Sequence, residues 1–501
     1  MAKKSKKRII EVDENQPSLF ANTEKDSCTG EQKKFIEYEG KSSLIIAATA
    51  GSGKTFSSVQ RLKFLLKKGV NPEKIIFFSF TKAAIEELKI RIGNDAVKIT
   101  TIHAFAYHIL AKIGKFKKIA SFYDFIKWFK NQYKPNPYTS TANDIAIFEN
   151  QIFRLFDEMD YISSSISAYK LQVADNVKLP IPDFYHAYQE FLKKERSRDF
   201  ADMLIEVRDA FKEDKWLNMF KNKYDYIFID EYQDTSTIQL QVLLALNAQY
   251  YYLIGDRNQA IYGYSGVNCE LIEGMLRSRR KTVNINLTVN FRSDKNIINN
   301  SNRFSSLKAI PNSDQDGFVS DDIMISANNI ISIMSGTREQ VVVLARTNAV
   351  IKNLEFELLK RKYPIRYFNY INLVELETIR TGDMIESTNN KVKLIISEKD
   401  KDGEPMFSNA MDLYYFIKTY ENSNNFITSI HKSKGREFDQ CIVVNSISPF
   451  LMKKLGYYHA MSKKQLNRIT FNLDDIDQEQ KNIHYVAISR SKHKLYFMIA
   501  N

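Results

Sequence analysis

The chain has 501 residues, 44% of them hydrophobic and 26% charged. That is the composition of a globular protein large enough for several cores, and it excludes a collagen-like, coiled-coil or wholly disordered chain. Lys and Arg number 72 against 59 Asp and Glu, a net charge of +13; this favours a polyanionic partner such as nucleic acid, although solubility explains charge alone equally well.

Cys28, Cys269 and Cys441 are far apart and form no CxxC pair. Neither a disulfide framework nor a cysteine zinc site is expected, and a reducing cytoplasm fits. No apolar run approaches the roughly 18 residues needed to cross a bilayer, and Met1–Ile10 gives no expectation of a secretory signal. Residues 1–27 read as a mobile tail with a basic cluster, Lys3, Lys4, Lys6, Lys7 and Arg8. Within it, Gln16-Pro17-Ser18-Leu19-Phe20 resembles the Q-x-x-L-F peptides that dock on sliding clamps, a five-residue match that chance also produces.

From residue 44 short apolar runs alternate with helical patterns. Leu44–Ala48 reads as a strand, followed by a glycine-rich turn and a helix through Leu66. Strands follow at Ile75–Ser79, Lys98–Thr101, Tyr226–Asp230 and Tyr251–Gly255, with a helix over Lys82–Ile92. Continuous apolar strands separated by helices predict a parallel sheet covered on both faces. The 124 residues 102–225 are too many for one crossover and read as a mainly helical insertion. Within them, lysines from Lys112 to Lys134 interleave with Phe116, Tyr123, Trp128, Phe129 and Tyr133. That pattern suits a nucleic-acid face, and an amphipathic helix with a core side at Phe125 and Trp128 explains it slightly better. A second strand and helix series is expected to begin at Thr282–Leu287 and continue at Val341–Arg346, Gln440–Asn445 and Lys494–Ile499. The 54 residues 371–424 interrupt it, with a hairpin expected over Lys391–Ser397 turning near Asp402-Gly403.

Gly51-Ser52-Gly53-Lys54-Thr55 follows a strand and opens a helix, as a phosphate-binding loop must. The glycines admit backbone N–H groups to phosphate oxygens, and the helix N-terminus adds its dipole. Lys54 is placed for the β- and γ-phosphates and Thr55 for Mg²⁺, while Ala48 stands where the strict pattern has glycine. A glycine-rich turn without ligand is the alternative, and the Lys-Thr pair speaks against it. Tyr226–Asp230 ends in Asp230 and Glu231, at the strand end that faces the ligand crevice in such sheets. Asp230 suits Mg²⁺, usually through water, and Glu231 suits deprotonation of an attacking water.

Asp230-Glu231-Tyr232-Gln233-Asp234 resembles the DExQD box of the UvrD/Rep/PcrA-like helicases of superfamily 1. The family's other boxes follow in its order. Thr29-Gly30-Glu31-Gln32 resembles the Q motif, Ser79–Ala84 the TFTNKA box and Thr101–Phe105 the T-x-H-x-F box. Gly255–Tyr262 resembles GDxxQSIY, Asn290-Phe291-Arg292-Ser293 NYRS, Thr428–Asp439 TxHxSKGLEFD and Tyr485–Ser491 YVAxTRA.

The resemblance implies an α/β fold with two RecA-like parallel-sheet motor domains, each interrupted by an insertion. The expected division is a flexible tail at 1–27, the first RecA-like domain at 28–110 and 196–289, and a helical insertion at 111–195. The second RecA-like domain is expected at 290–370 and 425–501, with a short insertion at 371–424. It implies ATP and Mg²⁺ as cofactors, bound by Gln32, Ala50, Gly51, Ser52, Gly53, Lys54, Thr55, Phe56, Phe291 and Glu437, with Thr55 and Asp230 on the metal. Gln32 is expected on the adenine edge, Phe291 stacked on adenine and Glu437 on the ribose. Lys54, Glu231, Gln259, Arg292 and Arg490 carry the expected chemistry, the two arginines as fingers on the γ-phosphate and Gln259 as its sensor.

Phe80, Thr81, His103, Tyr262, Tyr264, Arg346, Asn348 and His431 match positions that face single-stranded DNA. The implied activity is an ATP-dependent DNA helicase or translocase moving 3′ to 5′, acting on single strands and on junctions with duplex. The alternative is a DNA-stimulated ATPase that needs a partner protein of a repair, replication or defence system. Phe56 departs from the family's usual Arg, Ser265 from its common Arg, Arg436 from its Leu, and Ala83 from a frequent Lys. The second insertion is far shorter than the family's regulatory subdomain, and no C-terminal nuclease is expected.

Overall fold

The computed structural model describes residues 28–136, 138–157, 159–262, 267–382, 384, 386–399, 403–444 and 473–499. The tail with its clamp-like peptide, Tyr264, Ser265 and the turn at Asp402 lie outside them.

Apolar runs buried on both sides form the centres of two parallel sheets. In the first sheet are β1 (Ser43–Ala48), β2 (Ile75–Phe78), β3 (Lys98–Thr100), β6 (Tyr226–Asp230), β7 (Tyr250–Gly255) and β8 (Thr282–Leu287), in the order β3-β2-β6-β7-β1-β8. Between β3 and β6 the two-residue strands β4 (Lys118–Ile119) and β5 (Ser197–Arg198) pair with each other. The short pair β9 (Val289–Asn290) and β10 (Ile310–Pro311) follows the first sheet. The second sheet holds β11 (Phe318–Met324), β12 (Val341–Ala345), β13 (Phe426–Ser429), β14 (Phe438–Val444) and β15 (Ser491–Ile499), in the order β11-β15-β14-β12-β13. Ile75 to Phe78 and Val341 to Ala345 are buried without interruption, as strands covered by helices on both faces must be.

Thr282–Leu287 does not begin the second series. It is β8, paired in parallel with β1 from Ser43↔Thr282 to Ala48↔Leu287 at the edge of the first sheet. Its alternation of Val283, Ile285 and Leu287 with Asn284 and Asn286 is that of a strand with one open face. The second sheet begins instead at β11, which the sequence pattern did not mark.

The hairpin expected over Lys391–Ser397 is also a correction, because Glu386–Ile396 is a helix. Val392 and Ile395 are buried while Leu394 is exposed, the three-residue spacing of a helix face. They join Leu376, Ile379, Phe407 and Leu413 in a core shared with the second sheet. Among the described residues, the bridge Lys399↔Pro405 is what remains of the expected pairing.

Between β3 and β6 the chain is helical, and part of it has a core of its own around Phe125, Phe129, Leu155, Tyr188 and Phe191. The β4–β5 pair ties the two ends of that part together. Beside it the buried Lys170 ammonium is 2.9 Å from Asp199, the N-cap of the helix Phe200–Ala210. No helix among the described residues is long and apolar enough to cross a membrane.

Candidate nucleotide cleft and strand-binding face

The phosphate loop leaves the C-terminal end of β1, where Thr49 Oγ1 donates to the carbonyl of Leu287 at 3.4 Å. Gly51 and Gly53 then take φ of +71° and +75° and turn the chain into the helix Lys54–Lys67. A side chain at Gly51 would place its Cβ 2.7 Å from the Arg292 Cβ, so only glycine lets the second unit approach this closely. The first N–H groups of the helix have no partner within it and point into the cleft with the positive end of the dipole. Lys54 and Thr55 lie in that first turn. The open cradle, the free N–H groups and the adjacent lysine fit a triphosphate.

Gln32 is buried beside the loop, 2.9 Å from where a Gly53 Cβ would be. Its side chain closes a capping box with Thr29 and donates to the Ser52 carbonyl at 3.3 Å, so here it braces the loop. Phe56 is the third residue of the helix, and Phe291 lies 43% exposed with its N–H on the Gly51 carbonyl at 2.9 Å. Asn290 donates to the Ala50 carbonyl at 2.8 Å.

Asp230 and Glu231 end β6. Glu231 has φ of +52°, a left-handed conformation that costs a non-glycine residue energy and turns its carboxylate away from the strand line. Burial and the neighbouring Glu231 charge push Asp230 up to about 7. Burial acts on Glu231 in the same sense, but Lys54, Lys434, Gln233 and Arg490 outweigh it and hold that carboxyl below its ordinary value. The two carboxyls are thus shifted in opposite directions, with positive charge from both units acting on Glu231. Among the described residues no group of three or more His, Cys, Asp or Glu forms a metal cluster.

The second unit closes the cleft. Arg490 is buried and donates to the carbonyls of Val486 and Arg436, each at 3.0 Å, and to Gln259 Oε1 at 3.4 Å. Burial and the nearby Arg292 lower its guanidinium to about 10, still charged at neutral pH. Gln259 in turn donates to Asp256 Oδ2 at 2.8 Å. Arg292 pairs with Glu437 at 2.7 Å and donates to the Ser489 carbonyl at 3.2 Å. Tyr485 was not singled out from the sequence, yet its hydroxyl accepts from the Ala50 N–H and donates to Asp256, each at 3.0 Å. The YVAISR box contains it, but nothing local says that its hydroxyl crosses the cleft.

On the strand face the Phe80 and Tyr262 rings lie nearly parallel, 6.5 Å apart and 18° between planes, and Phe80 is 52% exposed. The Tyr262 ring is 5.9 Å from His431, so the row spans both units. Burial and Arg346 push His431 down to about 4, which leaves it neutral. Thr81 caps the helix Lys82–Ile92 by accepting from Ala84 N–H at 3.1 Å. Asn348 opens the helix Asn348–Leu359 after β12. His103 meets Phe200 edge-on at 5.3 Å. Phe200 is 55% exposed and was missed, since a single Phe after the helix cap Asp199 carries no sequence signal.

Two facing parallel sheets with a phosphate loop on one and two arginines on the other make this a phosphate-loop protein with paired RecA-like units. A family model described as the UvrD/REP helicase N-terminal domain matches residues 28–279, and one for the UvrD-like helicase C-terminal domain matches 410–501. The chain belongs to the UvrD/REP helicase family.

It is 27% identical over 368 residues to a probable DNA helicase II homolog of Mycoplasma capricolum, covering 67% of this chain and 51% of that protein. It is 30% identical over 279 residues to the ATP-dependent DNA helicase PcrA of Staphylococcus epidermidis, covering 52% and 37%. A probable DNA helicase of Mycoplasma pneumoniae is 29% identical over 283 residues, covering 52% and 53%. The chain thus spans about half the length or less of these relatives.

Proposed function

We propose that the chain hydrolyses Mg-ATP in the cleft between its two sheets and uses the cycle to move along single-stranded DNA and part the strands at a junction with duplex. One observation carries the reading: Arg292 and Arg490 of the second unit face the phosphate loop and the Asp230–Glu231 pair of the first. Such an arrangement is complete only when the units are together, so nucleotide state and unit separation are linked.

Thr55 and Asp230 are the residues placed to hold Mg²⁺, which supplies charge neutralisation on the phosphates. Glu231, ionised and hydrogen-bonded by Gln233, is placed to take the proton of the attacking water. Lys54, Arg292 and Arg490 are placed to meet charge developing on the transferred phosphoryl group, with Gln259 reporting its presence to Asp256. Gly51 and Gly53 are placed to present backbone N–H groups to the phosphates, while Ala50 and Ser52, whose N–H groups bond the Tyr485 hydroxyl and the Thr49 carbonyl, shape the loop. Gln32, Phe56, Phe291 and Glu437 border the space for base and ribose. The Phe80–Tyr262–His431 row, with Thr81, His103, Arg346, Asn348 and Phe200, forms the track for the strand. The 3′ to 5′ direction is part of this proposal and rests on the likeness of the boxes to those of the family.

The test is ATP hydrolysis with and without single-stranded DNA, together with strand separation of duplexes tailed on the 3′ or the 5′ side. Hydrolysis stimulated by DNA, separation only from 3′ tails and loss of both in Lys54→Ala are expected. Stimulated hydrolysis without separation would favour a motor that needs a partner protein. Absence of hydrolysis in the wild type would overturn the reading.

A further inference from the structure

The helix Ile102–Lys112 begins on the strand face with His103 and continues away from it. Tyr107 stands about one helical turn further along the same flank. Its ring meets Phe116 edge-on, with centroids 5.7 Å apart and planes at 76°. The two rings are 41% and 64% exposed, so neither is there to fill a core.

His108 and Lys112 are also exposed but lie further round the helix, about 100° and 140° from Tyr107. Lys98, which lies over the Phe105 ring at 5.1 Å, is near enough to Lys112 and Lys223 to feel both charges. Half-burial and these two like charges push the Lys98 ammonium down, and no carboxylate counts among the groups acting on it. The acid nearest in sequence to Lys223, Asp225, is turned toward Lys74, 3.9 Å away. Gathering ammonium groups without an acid among them costs energy in the isolated protein, and a phosphodiester backbone relieves it.

We propose that Tyr107 and Phe116 are a second base-stacking platform that lengthens the single-stranded DNA track beyond His103 and Phe200, with the ammonium groups of Lys98, Lys112 and Lys223 further round the helix to meet phosphates. The inference rests on the reading of the strand face given above and deepens it. Open rings serve unpaired bases, whereas duplex DNA keeps its bases stacked and offers only phosphates. The platform continues the aromatic row: Phe200 against His103, then Tyr107 against Phe116 a turn away.

Binding of oligothymidylates of increasing length tests this, using the full chain, Tyr107→Ala/Phe116→Ala and Phe80→Ala, read by fluorescence anisotropy. The double variant should match the wild type on the shortest oligomers, then reach its plateau one or two nucleotides earlier. On long oligomers it should bind about tenfold more weakly, the size of one lost stacking contact. Phe80→Ala should weaken binding at every length. Tyr107→Phe/Phe116→Tyr should keep the wild-type length dependence, which separates stacking from general damage. The platform is overturned if the double variant follows the wild type at all lengths while Phe80→Ala does not, or if it loses as much on blunt duplex as on single strands. If the wild type binds no single-stranded DNA, the strand-face reading itself falls, and the platform with it.

Discussion

Lys434 of the second unit reaches both carboxylate oxygens of Asp234 in the first, 2.7 Å from each, and its ammonium also donates to the Gln259 carbonyl at 2.6 Å. The same ammonium is 5.1 Å from the centre of the Tyr262 ring. One cation therefore touches the end of the DExQD box, the residue that bonds Arg490, and a ring of the strand face. On the proposed function, nucleotide closure and strand contact share this side chain.

Burial pushes Asp234 up to about 6 although Lys434 opposes the shift. Lys434→Met leaves that carboxylate buried without its cation, which should cost about 3 kcal/mol of stability. Asp234→Leu combined with Lys434→Met should cost less than the single change, because no uncompensated charge remains. Denaturant midpoints of the three proteins check this. Both variants should also lose stimulation of ATP hydrolysis by DNA, since the shared cation is gone.

Gly51→Ala should separate the units. Its Cβ would meet the Arg292 Cβ at 2.7 Å and the Asn290 Oδ1 at 2.8 Å, at a φ of +71°. Nucleotide affinity should fall by at least about tenfold, while Gly93→Ala, where nothing stands within 4 Å at φ +63°, should cost only stability, about 1 kcal/mol. Titration with a fluorescent ATP analogue and thermal melts distinguish the two.

Tyr485→Phe removes only a hydroxyl, but that hydroxyl bridges the Ala50 N–H and Asp256 across the cleft. The expected result is up to about a tenfold fall in ATP turnover with a stability loss near 1 kcal/mol, the worth of one buried hydrogen bond. Asp256 keeps Gln259 as a donor at 2.8 Å, so the fold should survive. Steady-state hydrolysis together with a melt decides it.

His484 is buried between Phe304 and Phe497, and burial together with Arg303 pushes it down to about 4. Between that value and the ordinary histidine range the unfolded chain binds the proton and the native protein does not. Stability should therefore fall as pH drops from about 6.5 towards 4, by up to roughly 3 kcal/mol from this residue. His484→Gln cannot titrate, so its stability should depend less steeply on pH over that window. Urea unfolding at pH 7, 6 and 5 is the measurement.

Local patterns carried what a few adjacent residues can encode. The turn Gly51–Thr55 between a buried strand and a helix, the carboxylates ending Tyr226–Asp230, and the order of the boxes were all legible in the sequence. Backbone freedom at glycine and continuous apolar burial are decided within a few residues of chain. Even there the limits showed at Lys391–Ser397, where a short apolar run fits either period until packing selects the helix face.

Everything that joins the two units was decided only in the tertiary structure. Ala50 meets Tyr485 across 435 positions and Asp234 meets Lys434 across 200. Pairing over such separations depends on how two cores set their surfaces together, so no local pattern records it. The same holds for β8, whose residues specify a half-open strand but not which sheet it edges, and for Phe200, which shows an exposed ring only once its helix is anchored by the buried pair of Asp199 with Lys170. Residue types chose the chemistry of this cleft, and the packing of one unit against the other chose which of them share it.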